Sequence, residues 1–98
     1  MILVTGSIVA KPEDAAALLA RSLEHVRRSR AEPGCLSHAV HRDAENPLRL
    51  VFVEEWADRA ALLAHFAVPA SRAFVELATA LAAEPPAIHI YDAEPWRA

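Results

Sequence analysis

Phe52-Val53-Glu54-Glu55-Trp56-Ala57-Asp58-Arg59-Ala60-Ala61-Leu62-Leu63-Ala64-His65 changes its periodicity halfway. The first five residues favour a strand, whose period of two puts Phe52, Glu54 and Trp56 on one face. Asp58 is a helix N-cap residue type, and Ala61, Leu62 and His65 recur behind it at helical spacing. A strand running straight into a helix thus sets a carboxylate, an indole and an imidazole within reach of one another.

Working outward, residues 48–56 pair as a hairpin with residues 35–42 across the polar turn Asp43-Ala44-Glu45-Asn46-Pro47. With that turn centred on Glu45, Leu36, His38 and Val40 oppose Glu54, Phe52 and Leu50 on one face. Cys35, Ser37, Ala39 and His41 then share the other face with Val51, Val53 and Glu55. Upstream, Pro33-Gly34 ends a helix that Lys11-Pro12-Glu13-Asp14 begins, proline suiting the first turn and the acids its positive end. The apolar stripe of this helix is Leu19, Leu23 and Val26, with Ala15, Ala16 and Ser22 alongside. Arg27, Arg28 and Arg30 complement its C-terminal dipole, and His25 belongs to that solvated polar end. Ile2–Val9 is β-branched and nearly apolar throughout, as in a strand buried on both sides.

Downstream, the helix from Asp58 breaks at Val68-Pro69, and the proline opens another with Phe74, Leu77, Ala78 and Leu81 on its buried side. Pro85-Pro86 ends it, and residues 87–91 form a last strand. The order β-α-β-β-α-β, with the second helix split, predicts a single α+β domain over residues 1–98. This is a ferredoxin-like four-stranded antiparallel sheet with helices on one face.

Composition narrows the function. The 98 residues are 54% hydrophobic with two glycines, which excludes a disordered or collagen-like chain. Ten basic residues against thirteen acidic ones, scattered, leave no stripe for a phosphate backbone, so no nucleic-acid partner is expected. Apolar runs stop well short of ~18 residues, no signal peptide is evident, and the single Cys35 rules out an internal disulfide. A cytoplasmic protein without membrane contact is the expectation. Ile2, Val4 and Ile8 are apolar on one side of their strand while Leu3 and Val9 are apolar on the other, and Val51 and Val53 back Leu50 and Phe52. At ~25 cal/mol per Å2, leaving such a second face wet forfeits many kcal/mol, so a homodimer through the sheets is expected.

With these elements placed, Glu32-Pro33-Gly34-Cys35-Leu36, residues 43–47, Glu54-Glu55-Trp56-Ala57-Asp58 and residues 60–65 together resemble the antibiotic biosynthesis monooxygenase family, over nearly the whole chain. The resemblance implies ferredoxin-like domains paired into a dimeric α/β barrel. It also implies oxygenation of anthrone- or quinol-type polyphenols by molecular oxygen without metal or flavin. Relatives also include haem-degrading proteins and an isomerase of a small phosphorylated signal. Two positions depart from the pattern: Ala70 stands where many relatives carry a second histidine, and His38 where quinol-oxidising relatives often carry tyrosine.

His38 and His41, three apart on a strand, face opposite ways and cannot share an ion, and no HExxH, CxxC, EF-hand or Gly-rich phosphate motif occurs. No metal, haem or flavin is expected. An electron-rich phenol or quinol carries the hard chemistry itself, so the protein needs only an apolar pocket, a base and donors for the ring oxygens. His65 is the first candidate base and His38 the second. Trp56, Phe52 and Phe74 are candidate substrate walls, and Glu54 stands at the pocket mouth or in an ion pair with an arginine such as Arg42, Arg49 or one from the partner chain. The competing readings are a non-catalytic binding or structural dimer and an isomerase of a small carbonyl compound. Cys35 reads as a packed thiol.

Overall fold

The computed structural model describes residues 1–97. Four strands, β1 (Ile2–Val9), β2 (Cys35–Asp43), β3 (Asn46–Trp56) and β4 (Ala87–Asp92), form one antiparallel sheet in the order β2-β3-β1-β4. A 3-10 turn at Pro12–Asp14 leads into α1 (Ala15–Ser29), and α2 (Arg59–Ala67) and α3 (Pro69–Leu81) connect β3 to β4. This is the expected ferredoxin-like α+β order, including the split second helix. Among the described residues no single helix is long and apolar enough to cross a membrane.

The helices cover the sheet face that carries Ile2, Val4 and Ile8 of β1 and Leu50, Phe52, Glu54 and Trp56 of β3, all buried. Leu18 and Val26 of α1 and Ala78 of α3 pack with Ile8, Leu50 and Phe52 at one end. Leu62 of α2 closes over Ile2, Val4 and Trp56 at the other. Asp58 caps α2 as expected, its carboxylate accepting from Ala61 N at 2.8 Å. Leu3, Thr5, Ser7 and Val9 on the opposite face of β1 are half-buried in the single chain, so the strand is fully covered on one side only.

The β2–β3 pairing places His38 opposite Glu54 and Val40 opposite Phe52, two residues along from the expected register. The faces survive because the slip is even. Near Leu36 it is not: an irregularity between Cys35 and Ser37 puts Cys35 opposite Trp56, packed against the cluster of Ile2, Val4, Trp56 and Leu62, and leaves Leu36 58% exposed. The expected positions of these two residues are exchanged, because an extra residue in one strand flips everything beyond it.

Along α1 the buried line is Leu18, Ser22, His25, Val26 and Ser29, one step round from the expected Leu19 and Leu23, which are half-buried. Two serines let the helix approach the sheet closely. Ser29 Oγ satisfies itself by donating to His25 O at 2.7 Å.

Candidate active site

Five elements deliver polar side chains to one spot beneath the helices. α1 carries His25, β2 carries His38, β3 carries Glu54 and Trp56, α2 carries His65, and the segment between α1 and β2 carries Glu32. His25, expected at the surface, is 6% exposed; His38 and His65 are 1% and 3% exposed. Sequence reasoning missed His25 because the arginines around it mark a solvated helix end. The spacing Leu18–Ser22–His25–Ser29 was the signal available, had serine been counted as core-facing.

The three imidazoles form a cluster, with ring centroids 5.2 Å apart for His25–His38, 5.3 Å for His25–His65 and 5.7 Å for His38–His65. Phe74 stacks on His25 at 4.2 Å, and Trp56 lies 4.6 Å from His65. Phe52 stands at the edge, 6.4 Å from His38 and 6.0 Å from Phe74. The two candidate bases, His65 and His38, and the three candidate walls, Trp56, Phe52 and Phe74, therefore share this neighbourhood.

Glu54 makes its main contact with Trp56, whose Nε1–H donates to Glu54 Oε1 at 3.0 Å. Its other neighbours are His38 Nε2 at 3.6 Å and His65 Nε2 at 3.9 Å. Of the expected arginine partners, the two in this chain are elsewhere: Arg49 binds Asp43 at 3.0 Å, and Arg42 is exposed. Burial pushes the Glu54 carboxyl up, against the Trp56 hydrogen bond and His65, which favour its charge, while Glu32 raises it further.

His65 Nδ1 lies 2.8 Å from Glu32 Oε1. A neutral imidazole donates its Nδ1–H to that carboxylate and keeps a lone pair on Nε2, the orientation that a general base requires. His25 Nδ1 lies 2.7 Å from Arg28 Nη2, which also donates to Ser71 Oγ at 3.3 Å. Among the described residues neither ring nitrogen of His38 has a hydrogen-bond partner, although both are buried. Burial, then the charges of the other two histidines and Arg28, hold His25 down at about 3. Burial, then His65, Arg30 and Arg28, do the same for His38, also at about 3. Both are neutral at physiological pH. Burial and the carboxylates Glu32 and Glu54 raise the Cys35 thiol against Arg30, so it stays protonated, as a packed thiol should.

A cleft of about 190 Å3 opens between α1 and α3, lined by Arg21, Glu24, His25, Arg28, Ala70 and Phe74 among others. Ala70, the position of the missing second histidine, thus borders the same opening as His25. Trp56, His38 and His65 do not line it; they pack directly on one another behind His25. A second cleft of about 260 Å3, beside Leu19, Arg42 and Pro47, lies away from the cluster.

The chain is similar in sequence and in fold to known proteins. A family model for the antibiotic biosynthesis monooxygenases matches residues 1–77. An uncharacterised protein of Synechocystis sp. is 39% identical over 90 residues, which are 92% of this chain and 61% of that one, so the chain spans about three-fifths of that relative. A crystal structure described as an antibiotic biosynthesis monooxygenase superposes with a TM-score of 0.89 at 35% identity, covering 97% of this chain and all of the other. A structure from Deinococcus radiodurans, described as a candidate member of that family, gives 0.94 at 26% identity over 100% and 97% of the two chains. By sequence match and fold together, the chain belongs to the antibiotic biosynthesis monooxygenase family.

Proposed function

We propose that the protein is a monooxygenase of a small electron-rich aromatic, a quinol or related polyphenol, working as a homodimer and using molecular oxygen without metal, flavin or haem. The observation that carries this reading is the His65–Glu32 contact at 2.8 Å, between a buried imidazole and a half-buried carboxylate, beside two further imidazoles, since an imidazole held by a carboxylate is a base with a fixed lone pair. His65 removes a phenolic proton. The resulting anion passes one electron to oxygen, and the aryloxyl and superoxide radicals join in a C–O bond. The O–O bond then breaks as a carbonyl forms and one oxygen atom leaves as water, so hydroquinone and oxygen become a hydroxyquinone and water. His38, without hydrogen-bond partners of its own, serves the ring oxygens as donor or second base.

The substrate ring enters between Phe74 and Ala70, and His25 turns aside for its oxygen to reach His65. At about 190 Å3 the cleft lies below the ~300 Å3 at which drug-sized sites begin, which favours a single ring over a fused three-ring anthrone. A non-catalytic binding or structural dimer is the second reading. It draws support from the closed packing of Trp56, 0% exposed, against His65. Oxygen uptake across a panel of hydroquinones separates the two. The monooxygenase reading expects turnover that His65→Ala abolishes while the fold persists; no uptake with any quinol overturns it.

A further inference from the structure

The same three histidines have a property that a metal-free oxygenase does not require. One ring nitrogen from each of His25, His38 and His65 lies within 4.8 Å of the other two, and all three residues are buried. His65 carries the outer-shell contact typical of zinc-binding histidines, a carboxylate on Nδ1 that leaves Nε2 to the ion. Both nitrogens of His38 are buried without a hydrogen-bond partner among the described residues, an arrangement that costs free energy until something occupies one of them. The Glu54 carboxylate stands 3.6 Å from His38 Nε2 and 3.9 Å from His65 Nε2, beside two of the three imidazoles.

We propose that His25, His38 and His65, with Glu54 as the fourth ligand, form a binding site for a first-row divalent transition ion of the zinc, cobalt or nickel type. Three nitrogen donors and one carboxylate exclude calcium and magnesium, which take oxygen ligands. A tetrahedral zinc site spaces its donors ~3.3 Å apart, so each imidazole draws inward by roughly 1 Å, a side-chain rotation for the two on helices. His25 pays one adjustment: to bind through Nε2 it carries its proton on Nδ1, so Arg28 turns away to Ser71 Oγ, to which it already donates at 3.3 Å. An ion held here takes the His65 lone pair that the proposed base needs, so metal occupancy and turnover exclude each other. The binding itself does not rest on the proposed reaction.

Cobalt(II) titrated into chelator-treated protein tests the site. The expected result is one equivalent of intense visible absorption, of the kind four-coordinate cobalt gives, abolished by one equivalent of zinc. His41→Ala and His89→Ala, both at exposed histidines, leave it intact. His25→Ala and His38→Ala weaken binding by more than the ~10–100-fold that loss of an outer-shell partner costs. X-ray absorption on the zinc-loaded wild type, expected to count three imidazoles, serves if either variant fails to fold. Cobalt that keeps its pale octahedral spectrum with the wild type, or fewer than three imidazoles around zinc, overturns the proposal.

Discussion

Trp56 buries its whole indole, and an N–H cut off from water needs an acceptor. Glu54 provides it at 3.0 Å, two residues earlier on the same strand face. That a carboxylate on an apolar face must be paired was legible from the alternation alone. That its partner is the neighbouring indole rather than an arginine was not, because strand spacing shows only which side chains share a face. Glu54→Ala is expected to cost roughly 1–3 kcal/mol by leaving the buried indole N–H without its acceptor. Glu54→Gln keeps a carbonyl oxygen in place and is expected to melt close to the parent. Thermal unfolding followed by Trp fluorescence decides it: two variants of equal stability would show that the hydrogen bond contributes nothing.

At the scale of elements, the join between β2 and α2 depends on Gly34. Its φ of 81° lies where L side chains are strained, and a Cβ there would stand 2.5 Å from the Cβ of Ala61 in α2. Gly34 O also accepts from Ala57 N at 2.8 Å, tying the end of β3 to the start of β2. Gly34→Ala is therefore expected to lose more than the ~1–2 kcal/mol of the backbone strain alone, a fall of several degrees or more in Tm for a domain of this size. Adding Ala61→Gly should recover the steric part and leave the strain. A Gly34→Ala variant that melts with the parent would contradict this. The Pro-Gly stop, the Asp58 cap and the Val68-Pro69 break were all readable because proline, glycine and capping residues act through their own backbones. The strand register and the Cys35–Leu36 exchange were not, since the irregularities in β2 leave no mark in the alternation. The turn of α1 that buries His25 was hidden for a related reason: serine looks like surface until the neighbouring element is seen to approach.

For the whole molecule, the sheet face away from the helices carries Leu3, Val9, Val51 and Val53, half-buried in a single chain, and Tyr91 of β4 is 50% exposed. Light scattering is expected to give twice the chain mass at micromolar concentration, and Val53→Lys to halve it. A wild-type monomer would remove the dimer from the proposed function. Acid should unfold the metal-free protein by a mechanism visible in the cluster. His25 and His38 titrate at about 3 in the fold, facing His65, Arg28 and, for His38, Arg30, but at ~6.5 in the unfolded chain. Between those values the unfolded chain binds two protons that the fold refuses. Stability is thus complete above about pH 6.5 and falls as pH drops, by up to ~1.4 kcal/mol per pH unit for each histidine. Glu54 acts in the opposite sense, its raised pKa letting the fold take up a proton before the unfolded chain does. One such group against two histidines reduces the slope without reversing it. The urea midpoint is expected to fall steeply from pH 7 to pH 5. His25→Phe, which keeps an aromatic ring against Phe74 but cannot be protonated, should remove about half of that fall. Equal midpoints at the two pH values would mean that the histidines are not held neutral by the fold.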